Sequence, residues 1–331
     1  MNIKEFAKEI NLSKGTVSRA LNNRPEVSSE TRQMILAKAE ELGYSRDSNA
    51  RSLKSGKHRL IRLECLENSE VLSDFYLVEL ARSVERAAHA SGYDLLLRLG
   101  SDGSYGLESQ TVDGIILMYA PPISERDYRI MTNNGSTPVV VICVANDPSV
   151  PLASHINIDI MPGVQEALIY LSALGHRKIG YISSGGPGLP IRAALPQLAK
   201  TAGLDCRDIV IVDAGVSVDD GYRAAIHLLD QPDRPTALFA RTDVLAAGAI
   251  KAAHRLGLSV PNDVSVIGTD NIEACALVSP SLTTVAIDTP QAGAIATRAL
   301  LAMINDDPTP ISVTLTSHLI VRESTGPCPV R

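Results

Sequence analysis

The first residues repeat their apolar positions at helical spacing. Ile3, Phe6, Ala7 and Ile10 fall at i, i+3, i+4 and i+7, one face of a short helix. Asn11 then offers a turn residue, and Ser13 stands where an N-cap belongs ahead of KGTVSRALNN. In that second segment Val17 and Leu21 are four apart and are expected to face inward. Lys14, Gly15, Ser18, Arg19 and Asn22 are left on the opposite or flanking faces. Ser28 can cap a third helix, TRQMILAKAEEL, which Gly43 closes. Two helices joined by a tight turn, the second with an exposed basic N-terminal half, predict an all-α helix-turn-helix head. A helix of that kind fits the major groove of B-DNA, about 12 Å wide, with its first residues on base edges.

After Gly43 the rhythm stops. YSRDSNARSLKSGK holds one short helical stretch, Ser48 to Lys54, flanked by Ser, Gly and Lys. Helices below about 12 residues are marginal in water, so this one is expected to order only on DNA. Leu53 is its single large apolar side chain, suited to wedging between base pairs from the minor groove. An ordinary linker is the competing reading of the same residues.

From Leu60 onward, short continuous apolar runs alternate with amphipathic stretches. YDLLLRL, DGIILMY, PVVVIC, KIGYIS, DIVIV, ALFA and VSVIG are strand candidates, too continuous for surface strands. DFYLVELARSVERAAHASG, GVQEALIYLSALG, DDGYRAAIHLLD and DVLAAGAIKAAHRLG are predicted helices. That alternation implies right-handed βαβ units with parallel sheets, and its length implies two α/β lobes. Ligands in such folds bind beyond the carboxyl ends of the strands.

Composition agrees with a folded protein: of 331 residues 45% are apolar and 21% charged. No apolar run approaches the roughly 18 residues of a membrane span, and the N-terminus is charged from residue 4, so a cytoplasmic chain is expected. The five cysteines are scattered and suit neither a disulfide framework nor a Cys-x-x-Cys metal site. Charge changes the picture more. Residues 1–59 carry twelve basic and seven acidic side chains, a net of +5, so the remainder holds −11 of a total of −6. A small basic head on an acidic body suits a polyanion-binding module attached to something else.

Catalytic signatures do not assemble. The segment from Ser183 to Pro190 follows a strand, as a phosphate loop would, but lacks both nucleotide-binding spacings, and its prolines are expected to break a helix start. The seven histidines form no H-E-x-x-H, and there is no G-x-S-x-G. Asp219-Asp220 sits at a predicted helix start, where capping explains it. A binding protein, without enzyme activity or cofactor, is the expectation.

IKEFAKEINLSKGTVSRALN, VSSETRQMILAKAEELGY and ARSLKSG together resemble the head and hinge of the lac repressor family of transcription regulators. VDGIIL, ALGHRKIGYI, VPNDVSVIGTD and PSLTTV resemble the family's effector domain, which is akin to type I periplasmic sugar-binding proteins. The resemblance implies a DNA-binding domain at 1–45, a hinge helix and linker at 46–59, and an effector-binding and dimerisation domain at 60–331. It further implies an N-subdomain near 60–156 plus 287–316 and a C-subdomain near 157–286 plus 317–331, with a hinged cleft between them.

By the same resemblance Lys14, Gly15 and Arg19 take recognition positions, and Ser13, Ser18, Asn22, Ser28 and Thr31 contact phosphates or base edges. Ala50, Leu53 and Lys54 belong to the hinge helix, Leu53 being the intercalating leucine. In the cleft it implies Tyr76 as a wall, Arg192 as a grip for ligand hydroxyls or carboxylates, Asp270 as an acceptor for hydroxyls, and Thr242 and Asp159 as further contacts. An arginine that only donates and a carboxylate that only accepts suit adjacent hydroxyls, so a small sugar or polyol is the expected effector. Departures bear on this: Arg46 stands where proline is usual, Val216 and Thr269 replace aromatics, and Asn271 replaces an acid. With no Trp and three Phe, the chain has few platforms for sugar stacking.

The partners so implied are a pseudo-palindromic double-stranded operator, a small effector and a second copy of the chain. The C-terminal ESTGPCPVR has no leucine heptad, so a dimer is expected. A repressor of a carbohydrate-utilisation operon fits these features. Three alternatives stay open: a regulator answering a nucleobase or sugar phosphate, one answering a partner protein, and a sugar-modifying enzyme with a DNA-binding head.

Overall fold

The helical rhythm of the first residues becomes three helices in the computed structural model: α1 (Ile3–Glu9), α2 (Lys14–Leu21) and α3 (Ser29–Glu41). The structure describes residues 1, 3–21, 24–44, 58–65, 75–99, 112–118, 136–143, 154–184, 190–307 and 309–330. Its contacts divide the chain into two units, Met1–Arg59 and Leu60–Arg331. The expected hinge residues Ala50, Leu53 and Lys54, and Asn22 of the recognition segment, lie outside the described residues.

The first unit is built on Phe6, which is fully buried with Ala7, Val17, Ala20, Val27 and Ile35 around it. Tyr44 stacks on the Phe6 ring at 4.3 Å with the planes 2° apart. The inward pair of α2 is Val17 and Ala20, while Leu21 is only partly buried beside them. The spacing of three rather than four turns the inward face slightly and leaves Leu21 at its rim. Arg32 donates through Nη2 to the carbonyl of Arg24 at 2.7 Å, tying α3 to the turn that precedes it.

The second unit holds two six-stranded sheets. The first runs β11-β5-β4-β3-β1-β2, with β1 (Leu60–Cys65), β2 (Asp94–Leu99), β3 (Gly114–Met118), β4 (Val139–Cys143), β5 (His155–Asp159) and β11 (Ser312–Thr316), all parallel. Helices α4 (Phe75–Ala90) and α9 (Thr289–Ile304) supply Leu77, Leu80, Val84, Ala292, Ala296 and Leu300 to one core with this sheet.

The second sheet runs β12-β10-β9-β8-β6-β7, from β6 (Ile179–Ser184), β7 (Ile209–Ala214), β8 (Ala237–Ala240), β9 (Ser265–Asp270), β10 (Thr283–Ala286) and β12 (His318–Ile320). Only β12 is antiparallel, against β10. On one face lie α5 (Met161–Ala173) and α6 (Pro190–Thr201), and on the other α7 (Val218–Leu229) and α8 (Asp243–Arg255). Helices on both faces explain why these strands read as continuous apolar runs.

Between α7 and α8 the backbones come unusually close. A Cβ at Gly248 would stand 2.1 Å from the Val218 carbonyl oxygen, and one at Gly221 would stand 2.3 Å from that of Leu245. Glycine at both positions is what permits this seam.

The chain passes between the lobes three times, after β5, after β10 and after β11. β5 remains in the first sheet through Asp159, so the first crossing falls after the boundary at 156 set from sequence. Two crossings are tied together: Ser317 N donates to the Asp159 carbonyl at 3.0 Å, and Gly163 N donates to Ser317 Oγ at 3.1 Å. The lobes also meet where Glu273 N donates to Glu79 Oε1 of α4 at 3.0 Å.

Two expectations change. Pro190 does not break a helix but opens α6, since the first helical position needs no N–H. Strands β1, β5, β10, β11 and β12 come in addition to the seven runs singled out from sequence.

Candidate functional site

In the head, Ser13 caps α2: its Oγ accepts from Thr16 N at 3.0 Å and pairs with Thr16 Oγ1 at 2.9 Å. Ser28 does the same for α3, accepting from Thr31 N at 3.2 Å and donating to Thr31 Oγ1 at 2.9 Å. Two residues expected to meet DNA, Ser13 and Ser28, are therefore also the residues that start the helices. Lys14, Gly15 and Arg19 are exposed on α2, while Ser18 is half-buried. A Cβ at Gly15 would lie 3.4 Å from Arg19 Nη1. The Arg19 guanidinium thus lies against the helix beside Gly15, at ordinary contact distance.

In the second unit, Asp159 and Asp270 end strands, Thr242 lies two residues past β8, and Tyr76 and Arg192 stand in the first turns of α4 and α6. Tyr76, in the first turn of α4, is 9% exposed and packs into the first lobe's core. Asp159 ends β5, and its Oδ1 accepts from Met161 N at 3.0 Å, so it caps the start of α5. Arg192 projects from α6, and its Nη1 donates to both carboxylate oxygens of Asp213, at 2.7 and 3.0 Å. Thr242 caps α8 by accepting from Leu245 N at 3.2 Å. Asp270 ends β9 with φ at +108° and Asn271 follows at +58°, so the loop leaves the sheet in a left-handed turn.

A buried network holds that turn. Asp243 accepts from Ile272 N at 3.0 Å, from Cys275 Sγ at 2.9 Å and from Thr284 Oγ1 at 2.6 Å. Burial pushes the Asp243 carboxyl up to about 6, against these donors, which pull it down. Arg322 Nη2 donates to Asn271 Oδ1 at 2.7 Å, so the amide that replaces an acid is bound within the lobe.

Two family models match: the bacterial regulatory proteins of the lacI family over residues 2–47, and the periplasmic binding protein-like domain over 168–325. The chain is 32% identical over 339 residues to catabolite control protein A of Priestia megaterium, covering 98% of this chain and 99% of that protein. It is also 32% identical over 345 residues to the HTH-type transcriptional repressor PurR of Escherichia coli, covering 99% and 98%. The chain belongs to the lacI family of bacterial regulatory proteins. Among solved structures, the lac repressor dimer bound to operator and the anti-inducer ONPF aligns with TM-score 0.74 at 23% identity, over 98% of this chain and 99% of that one.

This lacI-family protein is thus a DNA-binding transcriptional regulator with a periplasmic-binding-protein-like effector domain, and the relatives it matches are regulators rather than enzymes. Among the described residues no helix is long and apolar enough to cross a membrane.

Sequence reasoning missed several residues at the carboxyl edge of the second sheet. Ser183 of β6 stands opposite Asp213 of β7 in the parallel register. Arg241 N donates to the Ile182 carbonyl at 2.9 Å, which extends the β6–β8 ladder by one residue and sets Arg241 beside Ser183. Tyr181, two residues before Ser183 on the same face, meets Phe239 edge-on with ring centroids 5.7 Å apart. Burial pushes the Tyr181 phenol up to about 12, against the positive charges of Arg241 and Arg192, which pull it down. The signal in sequence was slight: Ser183 closes a run already read as a strand, Asp213 and Arg241 lie one residue past two others, and Tyr181 sits inside the first.

Proposed function

We propose that this protein is an allosteric repressor that binds a pseudo-palindromic operator as a homodimer and is controlled by a small carbohydrate-like effector in the cleft between its lobes. Residues 1–45 read DNA, 46–59 form the hinge and linker, and 60–331 bind effector and dimerise. The observation that carries the DNA-reading part is the α2 surface, with Lys14 and Arg19 exposed and Arg19 lying over Gly15. In this assignment Arg19 and Lys14 read base edges, and the capped starts of α2 and α3, with Ser13, Ser18, Asn22, Ser28 and Thr31, meet phosphates. Ala50, Leu53 and Lys54 form the hinge that opens the minor groove. Work on DNA also implies a cytoplasmic address.

In the cleft, Arg192 and Asp270 approach hydroxyls, Thr242 lines the second lobe, and Tyr76 and Asp159 close the site from the first. Effector favouring one lobe arrangement shifts operator affinity by a coupling of about 1–3 kcal/mol, typical of such systems. The lac repressor dimer supports this reading because its structure joins operator, dimer and small molecule in one fold.

Arg19→Ala tests the assignment. A bidentate arginine–guanine contact is worth about 1–3 kcal/mol, so specific operator affinity should fall roughly 5- to 150-fold. Gel-shift titration at fixed salt, against operator and scrambled DNA, reads it. An equal loss on both DNAs would reassign Arg19 to phosphate, and no loss on either would remove it from the interface.

A further inference from the structure

The carboxyl edge of the second sheet collects more hydrogen-bond donors than acceptors. Asp213, Ser183 and Arg241 stand side by side on β7, β6 and the end of β8. The register of Phe239 with Ile267 carries the row on to Thr269 of β9. Side chains two apart share a face of a strand, so this row lies on the face that carries Tyr181 and Phe239. Arg192 reaches this row from α6.

Most of these groups are already committed. The Asp213 carboxylate is held twice by Arg192. The Thr269 hydroxyl donates to the Ala240 carbonyl at 3.2 Å. Three groups are not. The Ser183 and Tyr181 side chains are 0% and 1% exposed, and among the described residues neither hydroxyl has a hydrogen-bond partner. Among the described residues the Arg241 guanidinium meets no carboxylate within ion-pair distance, while Arg192 has taken the acid beside it. Buried hydroxyls in folded proteins are nearly always satisfied, so two such donors beside a guanidinium that meets no carboxylate among the described residues suit an acceptor-rich partner. Each hydroxyl of a neutral sugar brings an O–H donor along with its acceptor lone pairs, and the sugar ring profits from aromatic faces. At this edge Val216 and Thr269 stand where aromatics are expected. An anion brings acceptors only.

We propose that Arg241, Ser183 and Tyr181 seat a carboxylate or phosphate group of the effector, which is therefore a charged sugar derivative rather than a neutral sugar. This rests on the reading that the lobes enclose an effector at all. Asp270, at the end of β9, offers the carboxylate for that molecule's hydroxyls, so the site has an anion-binding end and a hydroxyl-binding end.

Calorimetry on the full chain at fixed ionic strength tests the idea with D-gluconate, D-glucuronate and glucose 6-phosphate against D-glucose and D-glucitol. Inorganic phosphate serves as the bare-anion probe. The charged compounds should bind at least ~10-fold more tightly than the neutral ones, the scale of one charge-assisted hydrogen bond gained. The carboxylate and phosphate arms distinguish the two anions. Arg241→Gln should weaken the charged ligand by ~10-fold or more, Arg241→Lys should keep part of the affinity, and Lys200→Gln, an exposed change on α6, should leave it unaltered. Melting curves of each variant separate lost binding from lost folding. Neutral sugars binding as tightly as charged ones, with Arg241→Gln indifferent, would overturn the anion seat and leave the effector reading standing. A chain that binds operator but none of these probes would overturn both.

Discussion

Replacing Gly248 by alanine sets two effects of opposite sign against each other. In an isolated helix the change is favourable by about 1 kcal/mol, because alanine loses less backbone entropy. In this protein the new Cβ would stand 2.1 Å from the Val218 carbonyl oxygen and 2.6 Å from Tyr222 N, both backbone atoms of α7. Ordinary contact begins near 3.4 Å, so α7 and α8 must part by roughly 1 Å along their upper turns. The seam carries Ala224, Ala225, Leu228, Leu245, Ala246 and Ala249, all buried. A gap of 0.5–1 Å forfeits about a quarter to a half of each contact's attraction. Overpacking of this kind typically costs about 1–3 kcal/mol and more when backbone must move. With the helical gain subtracted, Gly248→Ala should destabilise the second unit by about 2 kcal/mol. For a unit of this size that lowers the melting temperature by roughly 4–8 °C. Urea unfolding followed by far-ultraviolet circular dichroism reads the free energy, and calorimetry the melting point. A variant as stable as the parent, or more so, would show that helix propensity outweighs the seam and that the close approach is not a packing constraint.

Two further expectations are smaller in size. Ser28→Ala removes the hydroxyl that accepts from Thr31 N, and loss of such a cap should cost the head about 1 kcal/mol; amide exchange in α3 should quicken accordingly, and unchanged exchange would deny the cap any energetic role. Asp220 closes a capping box with Ser217, and hydrogen bonds from the Ser217 side chain and backbone and from Arg223 pull its carboxyl down to about 2. A folded-state value below the ordinary 3.8 gives stability that is present above 3.8 and lost as pH falls through about 2. After allowance for solvent screening the gap between parent and Asp220→Asn should be about 1–2 kcal/mol near neutrality and should close between pH 4 and 2; a pH-independent gap would mean that the carboxylate's charge plays no part in the cap.

The alternation of apolar runs and helices was enough to reveal the architecture but not every strand. LIRLEC was passed over because Arg62 and Glu64 interrupt its apolar run, yet β1 buries both, 8% and 1% exposed. The two form an ion pair at 2.7 Å, and Arg98 of β2 stands 3.4 Å from the other carboxylate oxygen of Glu64. A buried charge reads as surface until its partners are known, and one of these partners lies on a neighbouring strand. His176 shows the reverse. It sits in ALGHRKIGYI, a stretch that carried the family resemblance, and its ring binds Thr236 Oγ1 at 2.9 Å and the Gly326 carbonyl at 3.0 Å. Burial lowers its proton affinity, and its work is to pin the C-terminal segment to the second lobe.

The head was legible because its chemistry is local: cap, recognition helix and turn all lie within a few residues of one another. The proposed effector site was not, because its chemistry depends on register. Ser183, Asp213, Arg241 and Thr269 are far apart in sequence and become neighbours only when four strands align. The same distinction governs charge. A body with net charge −11 would by itself argue against an anionic ligand. At physiological ionic strength charges more than about 8 Å away are largely screened, so acids on the outer helices count for little at the strand ends. There the Arg192–Asp213 pair nearly cancels, Asp270 lies at the end of β9, and Arg241 sits beside two buried hydroxyls without a hydrogen-bond partner among the described residues. Local arrangement, rather than the sum over the chain, decides which sign of ligand the site prefers.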